Sequence, residues 1–278
     1  MTERVETPTV FADGVVSSNQ RDYDITFSAD GSEAFFTRRG RRGPPQLYTT
    51  RFEGGEWSEP APAAFTGEGD EGAFVAPDGS LLFSSDRMEP DQFDRSDNVW
   101  VTRRDAEGWS EPVPLGGEVN QPFTEVDDME LGAEMGPSLT PEGSLLYATR
   151  SDPNWGWDIY VAEPDETGVF LDRRPLRLNT YGDETNPTMS PDGRFLIYQQ
   201  YGDVRGHGAQ DLFAAERTEY GWSDPWPLPL PVNSHANDGW PSFSPDGSLF
   251  FWASDRDGGG GAYDVYYVST DLLDLEGR

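Results

Sequence analysis

Apolar and polar positions along the chain fall into one arrangement that recurs five times. A short alternating stretch leads into an acidic-Gly turn, a run apolar on both faces follows, and a third apolar stretch opens on a polar residue. The turns are Asp30-Gly31, Asp78-Gly79, Glu142-Gly143, Asp192-Gly193 and Asp246-Gly247. Their glycines are spaced 48, 64, 50 and 54 residues apart. Short strands grouped four to a repeat of about 40–50 residues are the pattern of propeller blades. The pattern predicts an all-β protein: a five-bladed β-propeller of four-stranded antiparallel blades.

The innermost strands align as Asp24–Phe27, Ala73–Ala76, Pro137–Thr140, Pro187–Ser190 and Pro241–Ser244. Period-two alternation places Phe27, Val75, Leu139, Met189 and Phe243 on one face, where they pack between neighbouring blades. Second strands such as Ala34-Phe35-Phe36 and Leu249-Phe250-Phe251-Trp252 are apolar on both faces, as burial between blades requires. Third strands follow Gln46, Asn98, Asp158, Asp211 and Asp264. Outer strands are expected to begin at Trp57-Ser58-Glu59-Pro60, Trp109-Ser110-Glu111-Pro112 and Trp222-Ser223-Asp224-Pro225, with Val169-Phe170-Leu171 in blade three. Proline suits an outer edge because it withholds a donor from aggregating strands.

Blade five has no outer strand of its own after Val268, and the segment Pro8-Thr9-Val10-Phe11 is the candidate to supply it by pairing with Val265–Val268. The expected organisation is a single propeller over residues 1–278. A closing strand lies near 7–12, and the blades span about 20–66, 67–116, 132–178, 182–230 and 236–270. A closed ring has no free sheet edge demanding a partner, so a monomer is expected.

Charge narrows the partners. The net charge is −31, from 51 acidic residues against 20 arginines and no lysine. Duplex nucleic acid and anionic membranes need a basic footprint, which excludes both; a small molecule, a carbohydrate or a protein remains. Cysteine is absent, so there is no disulfide framework or thiolate metal site. No run approaches the about 18 apolar residues of a membrane span, and Met1–Val10 lacks the basic start and apolar stretch of a signal peptide. The expectation is a protein that stays inside or a mature form whose leader has been removed.

The repeated Ser-Pro-Asp-Gly, the Ser-Asp-Arg after the second strand, the Asp-Ile-Tyr third strand and the Trp-Ser-x-Pro motif resemble the PD40, or TolB-like, WD40-like β-propeller repeats. The run from Leu178-Asn179-Thr180 through Ser190-Pro191-Asp192-Gly193 to Val232-Asn233-Ser234 is especially similar to the variant found in bacterial envelope proteins. The resemblance covers residues 8–270. It implies a periplasmic or extracellular protein that serves as a binding or assembly platform; some relatives are parts of peptidases or lyases.

Loops entering the innermost strands emerge on one face of a propeller, together with those between strands two and three; the acidic-Gly turns emerge on the other. One carboxylate stands just before each innermost strand: Asp22, Asp70, Glu134, Glu184 and Asp238. Five acids near one axis have the oxygen chemistry of a Ca²⁺ site. Equally, an acid repeated in every blade suits maintenance of the repeat, with Arg87, Arg150 and Arg256 as partners in three blades. Irregular loops on the same face carry the candidate ligand contacts Trp155, Trp157, His207, His235 and Trp240. Aromatics beside carboxylates in a concave face suit sugars or an organic cation. No Gly-x-Ser-x-Gly elbow is present, and the glycines at 258–261 and 202–208 lack the strand-to-helix context of a phosphate cradle.

Two classes of function stay open. A non-catalytic binding or scaffolding propeller agrees with carboxylates recurring in every blade. A glycoside hydrolase agrees with the order of the acids alone: five-bladed furanosidases use Asp, Asp and Glu from their first three blades, and Asp22, Asp70 and Glu134 occur in that order. The furanosidase sequence context is not present, and blades four and five are acidic at the same position. A Ca²⁺-dependent lactonase-like enzyme is a variant of the second class using the same ring.

Overall fold

In the computed structural model, which describes residues 4–88, 96–122, 124–126, 129–150 and 156–276, five antiparallel sheets surround a common axis. Their inner strands are Arg21–Phe27, Asp70–Val75, Glu134–Leu139, Glu184–Met189 and Asp238–Phe243. Second strands are Glu33–Arg39, Leu81–Ser85, Leu145–Thr149, Phe195–Tyr201 and Leu249–Ser254; third strands are Gln46–Glu53, Asn98–Thr102, Asp158–Pro164, Gln210–Thr218 and Asp264–Ser269. No helix among the described residues is long and apolar enough to cross a membrane.

The turn between inner and second strands is built by its acid. In blade one, Asp30 Oδ1 accepts from Ser28 Oγ at 2.7 Å and from Ser32 N at 3.0 Å, closing an Asx-type turn. The next residue must then adopt a left-handed conformation, and the five turn glycines have φ between 70° and 95°. The same bonds hold the Asp30 carboxyl down at about 2.

The core is divided by the blade interfaces. Five apolar clusters each join side chains of two adjacent sheets: Phe35 and Leu47 with Phe83 and Trp100 between blades one and two, for example, and Ile197 and Leu212 with Phe250 and Trp252 between blades four and five. Phe27, Val75, Leu139, Met189 and Phe243 all pack into these clusters, as the alternation predicts.

The ring closes as the sequence suggests. Thr9–Val10 forms the fourth strand of the last blade, with Thr9 opposite Tyr267 and Val10 opposite Tyr266. Phe11 N then donates to Val265 O at 2.8 Å. The Phe11 ring meets Phe27, Trp57, Phe251 and Tyr267 edge-on, with centroids 5.2–5.9 Å apart, so one side chain joins the first and last blades.

Two strand assignments differ from expectation. The Trp-Ser-x-Pro motif interrupts the outer edge rather than beginning a continuous strand. In blade one, Glu56–Trp57 and Ala61–Pro62 pair separately with the third strand. Between them Thr50 Oγ1 donates to Ser58 O at 2.6 Å. Proline withholds the donor that continuous pairing needs. The inner strands also begin three residues earlier than the alternation suggests, and each contains a β-bulge.

Candidate functional site

Those early residues include the recurring carboxylates. Asp22, Asp70, Glu134, Glu184 and Asp238 are paired within the ladder to the end of the second strand, and all are fully buried. Each fastens its own entry loop. Asp22 accepts from Ser18 N at 2.8 Å and Ser18 Oγ at 2.6 Å; Asp70 from Gly67 N at 2.6 Å; Glu134 from Gln121 N at 3.3 Å; Glu184 from Thr180 N at 3.0 Å; Asp238 from Ser234 N at 2.7 Å.

In three blades an arginine completes the fastening. Arg38, Arg87 and Arg256 donate to Asp22, Asp70 and Asp238 at 2.6, 2.5 and 2.6 Å. The same guanidiniums donate to carbonyls of the segment arriving from the preceding blade: Val15 and Val16, Phe65, and Pro231 and Val232. Each is flanked by an aromatic pair, Phe36 and Tyr48, Phe83 and Trp100, or Trp252 and Tyr266. The two glutamates use other donors, Thr149 Oγ1 at 3.0 Å for Glu134 and Gln200 Nε2 at 3.0 Å for Glu184. Arg150 stacks on Trp157, 4.9 Å from its centroid. Burial pushes the Asp22 and Glu184 carboxyls up, opposed chiefly by their bonds from Ser18 and Thr180. Among the described residues, no group of three or more His, Cys, Asp or Glu is arranged to hold a metal ion.

Two residues after each carboxylate the backbone turns left-handed. Asp24, Gly72, Gly136, Asn186 and Trp240 have φ of 63°, 68°, 59°, 50° and 52°. Here the register shifts, and a bulge re-aims the side chain. All five residues line an axial cavity of about 310 Å³. The glycines leave room for their neighbours: a Cβ on Gly136 would lie 2.6 Å from Asn186 Oδ1, and one on Gly72 would lie 3.3 Å from Asp24 Oδ2. The other three adopt a conformation that non-glycine residues hold only against a local energetic cost.

The cavity combines aromatic walls with acids. Trp157, Tyr201 and Trp240 line it, as do Asp24, Glu71 and Asp183. Trp240 packs on Tyr23, with centroids 4.7 Å apart, and edge-on to Tyr263 at 5.2 Å. Tyr23 Oη donates to Glu71 Oε2 at 2.7 Å. Gln199 Oε1 accepts from Asn186 Nδ2 at 3.1 Å and from Trp240 N at 3.3 Å, holding two of the left-handed residues in place. Asp183 Oδ1 accepts from Trp157 N at 2.8 Å. Burial raises the Asp24 carboxyl well above the usual carboxylate range, and the Glu71 charge raises it further. Burial also raises Glu71, against the pull of Tyr23, Arg39 and Arg21.

The candidate ligand contacts therefore separate. Trp157 and Trp240 line the axial cavity. Trp155 lies outside the described residues. His207 and His235 meet each other instead, on exposed loops of blades four and five, with ring centroids 6.4 Å apart and His235 Nδ1 3.3 Å from His207 O. Asp24 and Glu71 escaped the sequence reading because the bulge is silent in a simple alternation. Aligning the second residue after each carboxylate would have exposed the series Asp, Gly, Gly, Asn, Trp. A second axial cavity, of about 370 Å³, lies toward the acidic-Gly turns and is lined in part by Pro77, Pro141, Pro191 and Pro245.

Neither a family model nor a curated protein matches the sequence. Solved structures do resemble the fold. A putative TolB from Agrobacterium tumefaciens is 17% identical with a TM-score of 0.53, the match covering 84% of this chain and 70% of that one. TolB from Acinetobacter baumannii is 15% identical with a TM-score of 0.54, covering 90% of this chain and 55% of that one. A thermostable family-43 glycoside hydrolase is 11% identical with a TM-score of 0.55, covering 92% and 91%. The chain thus spans a little over half of the second TolB structure. At these identities the shared property is the fold: a propeller of the kind seen in TolB and in a glycoside hydrolase.

Proposed function

We propose that the chain is a ligand-binding propeller on a TolB-like scaffold, with its site in the axial cavity on the face of the inner-strand entry loops. One contrast carries this reading. The acid that recurs in every blade is buried and bonded to its own entry loop, whereas the axial position two residues later differs from blade to blade and opens on a cavity. Repetition serves the scaffold, and variation marks the place where one ligand must be distinguished from another. The resemblance to envelope propellers adds a periplasmic or extracellular compartment, which fractionation of the native host tests. Calorimetric titration of a small-molecule panel, repeated with Trp240→Ala, tests the site. Ligands that bind the variant as tightly as the wild type would place the site elsewhere.

A hydrolase is the second reading, supported by two carboxyls of raised pKa, Asp24 and Glu71, on one aromatic-walled cavity. The axial positions of blades two and three are Gly72 and Gly136, so the left-handed ring supplies a carboxylate from one blade only. Aryl-glycosides and lactones, assayed with and without Ca²⁺, decide between the two. Turnover abolished by Asp24→Asn or Glu71→Gln in folded protein would replace the binding reading.

A further inference from the structure

Given that the axial cavity is a ligand site, on which this inference rests, we infer that its ligand is an organic cation: an ammonium group on a small apolar body. Asp24 and Glu71 both face the cavity, from adjacent blades. The described residues lining it include no arginine, and the chain has no lysine. Arg21 and Arg39 act on Glu71 from outside the lining. Tyr23 gives Glu71 one hydrogen bond, which leaves that carboxylate further acceptor capacity. Two negative charges are costly in this partly desolvated space, so Asp24 holds its proton beside Glu71, and an entering positive charge offsets that cost and stabilises the ionised pair. A neutral polyol would add hydrogen bonds but leave that cost in place.

The aromatic wall favours the same class. Trp157, Tyr201 and Trp240 line the same space as the acids. Trp157 already carries the Arg150 guanidinium 4.9 Å from its centroid, so one of its faces is taken and the entering cation is left chiefly to Tyr201 and Trp240. Bare metal ions are poorly served, because aromatic carbon does not ligate them and Ca²⁺ wants six to eight oxygens. The volume of about 310 Å³ is at the lower end of the range of about 300–1,000 Å³ typical of small-molecule sites, which limits the apolar body to a modest size. Backbone cost is concentrated here too: Asp24 and Trp240 hold left-handed φ beside Gly72 and Gly136, which hold it freely.

The test is calorimetric titration of the full chain with 2-phenylethylammonium and its neutral counterpart 2-phenylethanol, with tetramethylammonium as a compact cation. The expected result is binding of 2-phenylethylammonium at least tenfold tighter than the alcohol. Asp24→Asn and, independently, Glu71→Gln should weaken the ammonium at least tenfold and leave the alcohol within twofold. Near-ultraviolet circular dichroism of both variants establishes that the aromatic packing survives. Equal affinity for ammonium and alcohol, both lost in Trp240→Ala, would overturn the cation assignment while keeping the cavity as a ligand site. Absence of binding by all three probes would overturn the cation assignment, and binding of every panel ligand undiminished by Trp240→Ala would remove the cavity reading itself.

Discussion

Replacing Phe11 by alanine tests how the ring is held shut. The Phe11 ring touches Phe27 and Trp57 of blade one together with Phe251 and Tyr267 of blade five, all near edge-on. Truncating a fully buried phenylalanine costs about 3–5 kcal/mol. Phe11 is partly exposed, which lowers the burial share to about 2 kcal/mol, and lost aromatic geometry, worth about 0.5–1.5 kcal/mol per pair, returns part of the difference. The expected loss is about 3 kcal/mol. For a domain of this size each kcal/mol moves Tm by about 2–4 °C, so Phe11→Ala should melt about 6–12 °C lower. Circular dichroism melts and urea titrations measure it, with Tyr220→Ala as a control because Tyr220 is 85% exposed. That control should stay within about 0.5 kcal/mol of the parent. A Phe11→Ala melt within 2 °C of wild type, on the scale of about 2–4 °C per kcal/mol, would refute closure through this contact. Deleting residues 1–12 removes the strand as well and should lower Tm further.

Other outcomes follow from the buried charges. Arg256→Met leaves Asp238 fully buried without its guanidinium and should cost about 3–5 kcal/mol in urea unfolding, most of it recovered in Arg256→Met/Asp238→Asn; equal losses in single and double variants would disprove the coupling. Asp22, Asp24, Glu71 and Glu184 have carboxyls raised in the folded state, so the fold binds more protons than the unfolded chain and their contribution is lost as pH rises above the usual carboxylate range. Turn acids such as Asp30, Asp78 and Asp246 are lowered, so theirs is lost as pH falls below that range. Tm should therefore peak in mildly acidic solution, and a steady rise from pH 5 to 8 would contradict the assignments. Melts in EDTA and in millimolar Ca²⁺ should coincide, because Asp22, Asp70, Glu134, Glu184 and Asp238 already accept hydrogen bonds from their own blades; a shift of several degrees would reveal an ion at the axis.

The architecture was readable because it is said five times: a turn such as Ser28–Ser32 needs the same acid and the same left-handed glycine wherever it occurs. Closure was readable from a deficit, since blade five lacked a strand that Thr9–Val10 could provide. The site was less legible. Alternation assumes a regular pleat, and a one-residue bulge reverses which side chain faces which way. Alternation therefore treats Asp24 as an ordinary strand opening and does not separate the recurring carboxylates from the axial position two residues on. Arg38 escapes motif matching as the partner of Asp22 because blade one carries Arg38-Arg39-Gly40 where blades two and five have Ser-Asp-Arg. Glu71 and Trp157 converge on one cavity from positions 86 residues apart, a proximity that no local pattern encodes.

The shared last blade fixes the order in which the molecule can mature. Ser17 Oγ donates to Val265 O across 248 residues of chain. At about 5–20 residues per second of synthesis, the early segment waits on the order of 12–50 s for its mate to leave the ribosome. Throughout that delay the nascent polypeptide carries an unzipped hem with Phe11 and Phe27 bare, a surface on which chaperones or neighbouring nascent chains compete. Crowded translation should thus be the stage at which this protein is most easily lost.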